Sequence, residues 1–284
     1  MRQLPLEDVG AVLITAPACK IQSYFLSQAA QGHIPVVICE NYRPVSVFLP
    51  IQRSVDTLLT RAQVGSSARL RHQLWLKTVG AKCTNQCGVL ADLGEGEGET
   101  VRQMRELCGR KTDSVEGACA HLYWSACSRI LGIEAFSRIP AENEGLNSLL
   151  NYAYAMLLTA TLQALLCCGL DPLYGIGHVV RERSTPLAYD VMEPFRPLVD
   201  LWVFTWLKHC RDTGVLPEVN KSYKQFLRRC MQQGTSDNTE LREIILLSVK
   251  GLRDAFLGKG IQVYQPWQWR TTKWAGSLSA LISP

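Results

Sequence analysis

Short apolar runs open the chain, and long apolar stripes follow them. "AVLIT" (11–15), "IPVVICE" (34–40) and "VSVFLP" (45–50) are β-branched runs of strand length, the last two joined by the turn "NYRP". Between the first two, Ile21, Phe25, Leu26 and Ala29 recur at helical spacing in "KIQSYFLSQAAQG", which closes on Gly32. The pattern predicts a β-α-β-β unit over the first fifty residues. So small a unit is marginal alone, so its strands are expected to pair with something else. From residue 53 onward the period is helical. "ARLRHQLWLKTVGAKCTNQCGVLADLG" (68–94) predicts a long amphipathic helix. Further helices are expected from Asp113 to Leu131, over 146–168, from Asp190 or Pro197 to Cys210, and over 218–233 and 239–257. "GEGEGE" (94–99) reads as a flexible acidic loop, and 94–113 as loop and connector. The tail "VYQPWQWRTTKWAGS" is aromatic and basic without a period. The fold class expected is α+β, with a small β-rich N-terminal domain (1–52) before a large all-α domain (53–284).

One stretch is long enough to cross a bilayer, "LLNYAYAMLLTATLQALLCCGL" (149–170). It carries Asn151, two tyrosines, two threonines and Gln163, and no Lys/Arg cluster flanks it, so a buried core helix and no membrane are expected. Hydrophobic residues are 47% and charged residues 19% of 284, which describes a globular chain and not a disordered one. A net charge of +5 permits a polyanionic partner without requiring one. Eleven cysteines include no CxxC pair. Cys83 and Cys87 share a helix face, but no second pair has finger spacing, so they read as buried thiols. Scattered thiols and the lack of a secretory leader lead to the expectation of a cytoplasmic protein.

Candidate chemistry gathers in "YGIGHVVRERSTPLAYDVMEPFRP" (174–197). His178 sits in a glycine turn, and its GxG lacks the third glycine of a dinucleotide fingerprint. Asp190 and Glu193 are three apart; on a helix they share a face and repel unless a cation, a proton or an arginine stands between them. Acids at a helix start also complement the macrodipole, so decoration is the competing reading. Glu116 follows Asp113 at capping-box spacing, which makes it a cap or a ligand. One imidazole with several carboxylates at element ends suits a hard or borderline divalent cation, Mg²⁺ or Mn²⁺, of the kind that serves phosphoryl chemistry. Arg181, Arg183 and Arg196 could steady a phosphate, and Lys221, Lys224, Arg228 and Arg229 form a basic helical stripe that could track a phosphate backbone. Solvated surface charge is the competing reading for each.

The run "GLNSLLNYAYAMLLTATLQALLCCGLDPLYGIGHVVRERSTPLAYDVMEPFRPLVD" resembles the signature of the CRISPR-associated integrase, the Cas-one family. "LPLEDVGAVLI", "HQLWLKTVGAKCTNQCGVL" and "VEGACAHLYW" resemble its first strand, its linking helix and its glutamate-glycine helix. The wording is closest to the type II systems. The resemblance implies an enzyme that inserts prespacer DNA into a CRISPR array, a prespacer 3′-hydroxyl attacking a phosphodiester at the leader–repeat boundary. It puts the metal ligands on Glu116, His178 and Glu193, a supporting acid on Asp190, and helix residues facing the site on Asn147 and Tyr154. It also implies DNA as substrate, a homodimer, and a Cas-two dimer bridging two homodimers. Family chains usually carry a further hairpin ahead of "LPLEDVG", so a truncated N-terminal domain is expected. A catalytically inactive DNA-binding scaffold and a transposon-encoded integrase relative are the alternatives. Since the site acids would repel one another, losing one is expected to spare the fold.

Overall fold

The computed structural model describes the chain except residues 1–3, 10–11, 17, 41–42, 49–56, 97, 111–114, 134–135, 137, 140–141, 143, 179–184, 235–238, 270–277 and 283–284. Strands β1 (Val12–Ile14), β2 (Val36–Glu40) and β3 (Arg43–Phe48) form one sheet in the order β1-β2-β3. Helix α1 (Ser23–Gln31) connects β1 to β2. A helical crossover returns the chain in the same direction, and β1 and β2 accordingly pair in parallel, Val12 opposite Val36. Strand β3 pairs antiparallel with β2, Phe48 opposite Val36, with an irregularity at Ile38/Cys39. The strands thus pair with one another, where pairing elsewhere was expected. Ala29, Ile34 and Val36 form a small core covered by Leu6, Val9, Val12, Ile14, Phe25 and Leu26. Val45 and Phe48 of β3 remain exposed.

Helices follow: α2 (Thr57–Val64), α3 (Ala68–Leu90), α4 (Glu99–Gly109), α5 (Val115–Leu131), α6 (Gly145–Cys167), α7 (Pro186–Met192), α8 (Arg196–Thr213), α9 (Lys221–Gln233) and α10 (Leu241–Phe256). This is the expected small β-rich N-terminal domain with a large α-helical one. Helix α4 corrects the connector expected over 94–113. Val101 and Met104 give it a buried stripe, and Glu99 bonds Arg102 at 2.8 Å and Gln103 at 2.9 Å on its outer face. The glycine-rich run supplies only the turn before it, where Gly94 adopts φ +103°. Between α7 and α8, Glu193–Phe195 form a single 3₁₀ turn. Pro194 and Pro197 have no N–H to continue the helical ladder there. In the most apolar window of α6, 89% of residues are buried, as a core helix requires.

Two compact units emerge. One comprises Met1–Leu74, Tyr154–Met192 and Ile245–Gln265; the other comprises Trp75–Ala153, Glu193–Ile244 and Pro266–Pro284.

Candidate active site

In the first unit the site residue is His178, and the chain before it is shaped to present it. Helix α6 ends at Gly169, whose φ of +75° few side chains tolerate, and Leu170 N–H donates back to Leu165 at 3.0 Å. The turn that follows is gripped by Gln63 of α2. Its Nε2 donates to the carbonyls of Asp171 (2.8 Å) and Tyr174 (3.3 Å), and its Oε1 accepts from Asp171 N–H (3.0 Å). Leu187 N–H at the start of α7 donates to Pro172 at 3.0 Å. Gly175 makes the closest approach. A Cβ there would lie 2.8 Å from Asp190 Oδ2, from the His178 carbonyl and from Pro186 Cβ.

That approach lets the backbone wrap one carboxylate. Asp190 is fully buried. Its Oδ2 accepts from the N–H groups of Ile176 (2.5 Å) and Gly177 (3.1 Å), and its Oδ1 from His178 N–H (2.9 Å). His178 Nδ1 lies 2.6 Å from the same Oδ1. A carboxylate against Nδ1 favours the tautomer that carries its proton there and its lone pair on Nε2, the arrangement that orients metal-ligating histidines. The imidazole is 44% exposed. Asp190 therefore serves His178.

In the second unit two acids from separate elements converge on one cation. Lys82 lies on α3 between the fully buried Ala81 and Cys83. Its Nζ is 2.7 Å from Glu116 Oε1, in the first turn of α5, and 2.6 Å from Glu193 Oε2, in the turn after α7. Arg196 Nε is 2.9 Å from Glu193 Oε1. Side-chain exposures are 12% for Lys82, 31% for Glu116 and only 3% for Glu193. Burial pushes the Lys82 ammonium down, but Glu193 and Glu116 outweigh it, against opposition from Arg196, and hold its pKa above the usual lysine value. The cation that paired carboxylates need is thus supplied by the protein. Asp113, the expected partner of Glu116 in a cap, lies outside the described residues; Glu116 Oε1 is bonded to Lys82 instead.

The turn carrying Glu193 is held from behind. Asn85, fully buried on α3, donates to the carbonyls of Pro194 (2.6 Å) and Trp267 (3.0 Å) and accepts from Trp269 N–H (2.7 Å). Trp267 stacks on Phe195 with centroids 5.9 Å apart and planes 11° apart. A Cβ on Gly88 would lie 2.5 Å from the Trp269 ring, so glycine lets the tail lie against α3. One turn beyond Glu116, Ala120, Trp124 and Ser128 continue along one face of α5 and line an open groove of about 780 Å³, together with Phe136 and Arg138.

Other expected site residues have different surroundings. Arg181 and Arg183 lie outside the described residues. Arg196 is engaged with Glu193, as above. Lys221 and Arg228 are exposed on α9, while Lys224 is half-buried with Nζ 5.4 Å from the Tyr152 ring centroid. Arg229 donates to the Leu281 carbonyl at 3.0 Å. Asn147 is buried; its amide accepts from Arg138 (2.9 Å) and Ile139 N–H (3.2 Å) and donates to Glu142 (2.5 Å). That binds the segment before α6. Tyr154 is buried. Sequence reasoning missed Lys82, Asn85 and Gln63. The signal for Lys82 was present: it is the lone charge in the run from Thr78 to Ala91.

The profile of the family described as CRISPR associated protein Cas1 matches residues 1–213. The chain is 31% identical over 231 residues to the CRISPR-associated endonuclease Cas1 of Neisseria meningitidis serogroup C, covering 79% of this chain and 72% of that one. It is 30% identical over 219 residues to a CRISPR-associated endonuclease Cas1 of Pyrobaculum aerophilum, covering 71% and 72%. Among solved structures, a CAS1 protein from Thermotoga maritima superposes with a TM-score of 0.75 at 19% identity, over 91% of this chain and 89% of that one. A casposase bound to integration product superposes with a TM-score of 0.74 at 21% identity, over 93% and 84%. The chain in a Cas6-RT-Cas1–Cas2 complex superposes with a TM-score of 0.77 at 17% identity, over 95% of this chain and 33% of that one. These structural likenesses show a shared fold. The matches reach the family and not a subtype.

Proposed function

The chain belongs to the Cas1 family, the integrases and endonucleases of CRISPR adaptation, and from that premise we propose that it inserts prespacer DNA into a CRISPR array at the leader–repeat boundary. The observation that carries this reading is the convergence of Glu116 and Glu193 on one buried cation position. Two hard carboxylate donors from separate elements fit Mg²⁺ or Mn²⁺, and Lys82 offsets one of their two negative charges. His178 joins the ligand set on the strength of its motif, with Nε2 as the donor that Asp190 leaves available. When bound, such a cation neutralises non-bridging phosphate oxygens and lowers the pKa of the attacking hydroxyl.

The chain's own groups account for the rest. Asp190 holds the Nδ1 proton of His178 in place. Lys82 keeps a positive charge beside the scissile phosphate, and Asn85 fixes the turn that aims Glu193. The prespacer 3′-oxygen forms a bond to phosphorus as the bond to the neighbouring 3′-oxygen breaks; that leaving oxygen takes up a proton, and the hydroxyl's proton passes to solvent. Lys221, Lys224 and Arg228 contact the DNA backbone, joined by Arg181 and Arg183. A second copy of the chain and a Cas2 dimer bridging two homodimers are the proposed protein partners.

The test is joining of a labelled oligonucleotide to supercoiled plasmid. Joining is expected with a 3′-hydroxyl end and Mn²⁺ or Mg²⁺, and not with EDTA or a 3′-deoxy end. Equal joining in EDTA would overturn the metal assignment. Equal joining of the 3′-deoxy end would overturn the reaction.

A further inference from the structure

We propose that Cys83, Cys108 and Cys119 form a thiolate site for a soft divalent cation of the Zn²⁺ class, tying together α3, α4 and α5. The three Sγ atoms come from three helices and lie within 4.8 Å of one another. Cys108 and Cys119 are 3.9 Å apart. Four sulfurs at about 2.3 Å from Zn²⁺ form a tetrahedron with edges of about 3.8 Å, so this pair already has ligand spacing. A disulfide needs about 2.05 Å, and the pair is far from it. Cys87, one turn from Cys83 on α3, lies outside that cluster, so the fourth position is left to solvent. The cluster is electrostatically suited to a cation. Hydrogen bonds from Cys119 and Cys83 pull the Cys108 thiol well below its usual value, while its partners rise, Cys119 to about 12. Cys108 is only half-buried, which leaves a way in.

The placement gives the site a consequence. Cys83 follows Lys82 on α3, and Cys119 lies three residues after Glu116 on α5. A cation here would fix the two helices that set the Lys82–Glu116 pair. It would do so with sulfur ligands, which Mg²⁺ and Mn²⁺ disfavour and Zn²⁺ accepts.

The full chain, stripped and reduced, would be titrated with Cd²⁺ in excess Mg²⁺, so that hard carboxylate sites are saturated and only thiolates respond. One Cd²⁺ per chain with a thiolate charge-transfer band is expected, and Zn²⁺ should displace it. The band should vanish in Cys108→Ser and Cys119→Ser and persist in Cys167→Ser, a change at an exposed thiol. Because buried substitutions can disturb folding, the wild-type protein supplies a second measurement: Zn²⁺ should protect Cys108 and Cys119, but not Cys167, from alkylation mapped by mass spectrometry. No band, an undiminished band in the folded cluster variants, or no protection would overturn the proposal. So would recovery of a Cys108–Cys119 disulfide from protein that binds no Cd²⁺ once reduced.

Discussion

Lys82 changes what removing each acid does. The two glutamates were expected to repel, so that losing either would spare the fold. With an ammonium between them they attract it instead, and Glu193 also holds Arg196. Glu193 is 3% exposed. Glu193→Ala therefore leaves the buried Lys82 with Glu116 alone and takes a carboxylate from the 26%-exposed Arg196, and urea unfolding is expected to lose about 2–3 kcal/mol. Glu116 is more solvated, and Glu116→Ala is expected to cost roughly 1 kcal/mol or less. Equal losses for the two variants would show that the burial difference does not govern the pair. A pH dependence follows from the same lysine. Its folded pKa is raised, so the stability it contributes is complete below the unfolded value and is lost only as pH rises through the folded one, above the usual 10.5. The stability gap between wild type and Lys82→Met should stay flat from about pH 7 to about 9. A gap closing inside that range would contradict the raised pKa.

The elements differ in how firmly they are held. The sheet has three described strands, two of them edges, and few buried residues, Ala29, Ile34, Val36, Val37 and Cys39. Exposed Val45 and Phe48 on β3 leave an apolar strand edge in water. Amide exchange at residues 12–14 and 36–48 should run well ahead of exchange in α5 and α8; equal protection would refute a weakly held sheet. Most of these elements were legible because periodicity reports burial directly. The strands, α1, α3, α5, α6, α9 and α10 fall where the apolar spacing put them. Helix α4 was obscured because "GEGEGE" drew the whole stretch into a loop, although Val101 and Met104 already carried the helical spacing. Site partners were harder to see, since they depend on contacts across long sequence separations. His178 and Asp190 meet because Gly175 admits a carboxylate against the backbone, and no spacing rule states that. Lys82 and Glu116 are 34 residues apart. Three helical cysteines with no finger spacing come together for the same reason.

At the scale of the whole molecule, function joins a weak general attraction to a local chemical requirement. A net charge of +5 is modest, so DNA affinity depends on where the charge lies. Lys221 and Arg228 are exposed on one helix, with Lys224 beside them. Binding that releases counterions at these residues should weaken steeply with salt, and Lys221→Ala with Arg228→Ala should flatten the slope. A slope near zero in an anisotropy titration would remove this stripe from the interface. Chemistry is the separate matter of the acids, and there one substitution is cleanest. Glu116→Gln keeps the size of the side chain and an oxygen for Lys82, but removes the carboxylate charge a divalent cation needs. The decisive measurement is plasmid integration by Glu116→Gln in Mn²⁺, alongside its unfolding midpoint and DNA affinity. The account predicts integration lost, with midpoint and affinity close to wild type. Integration at the wild-type rate would contradict a metal-bearing active site built on Glu116.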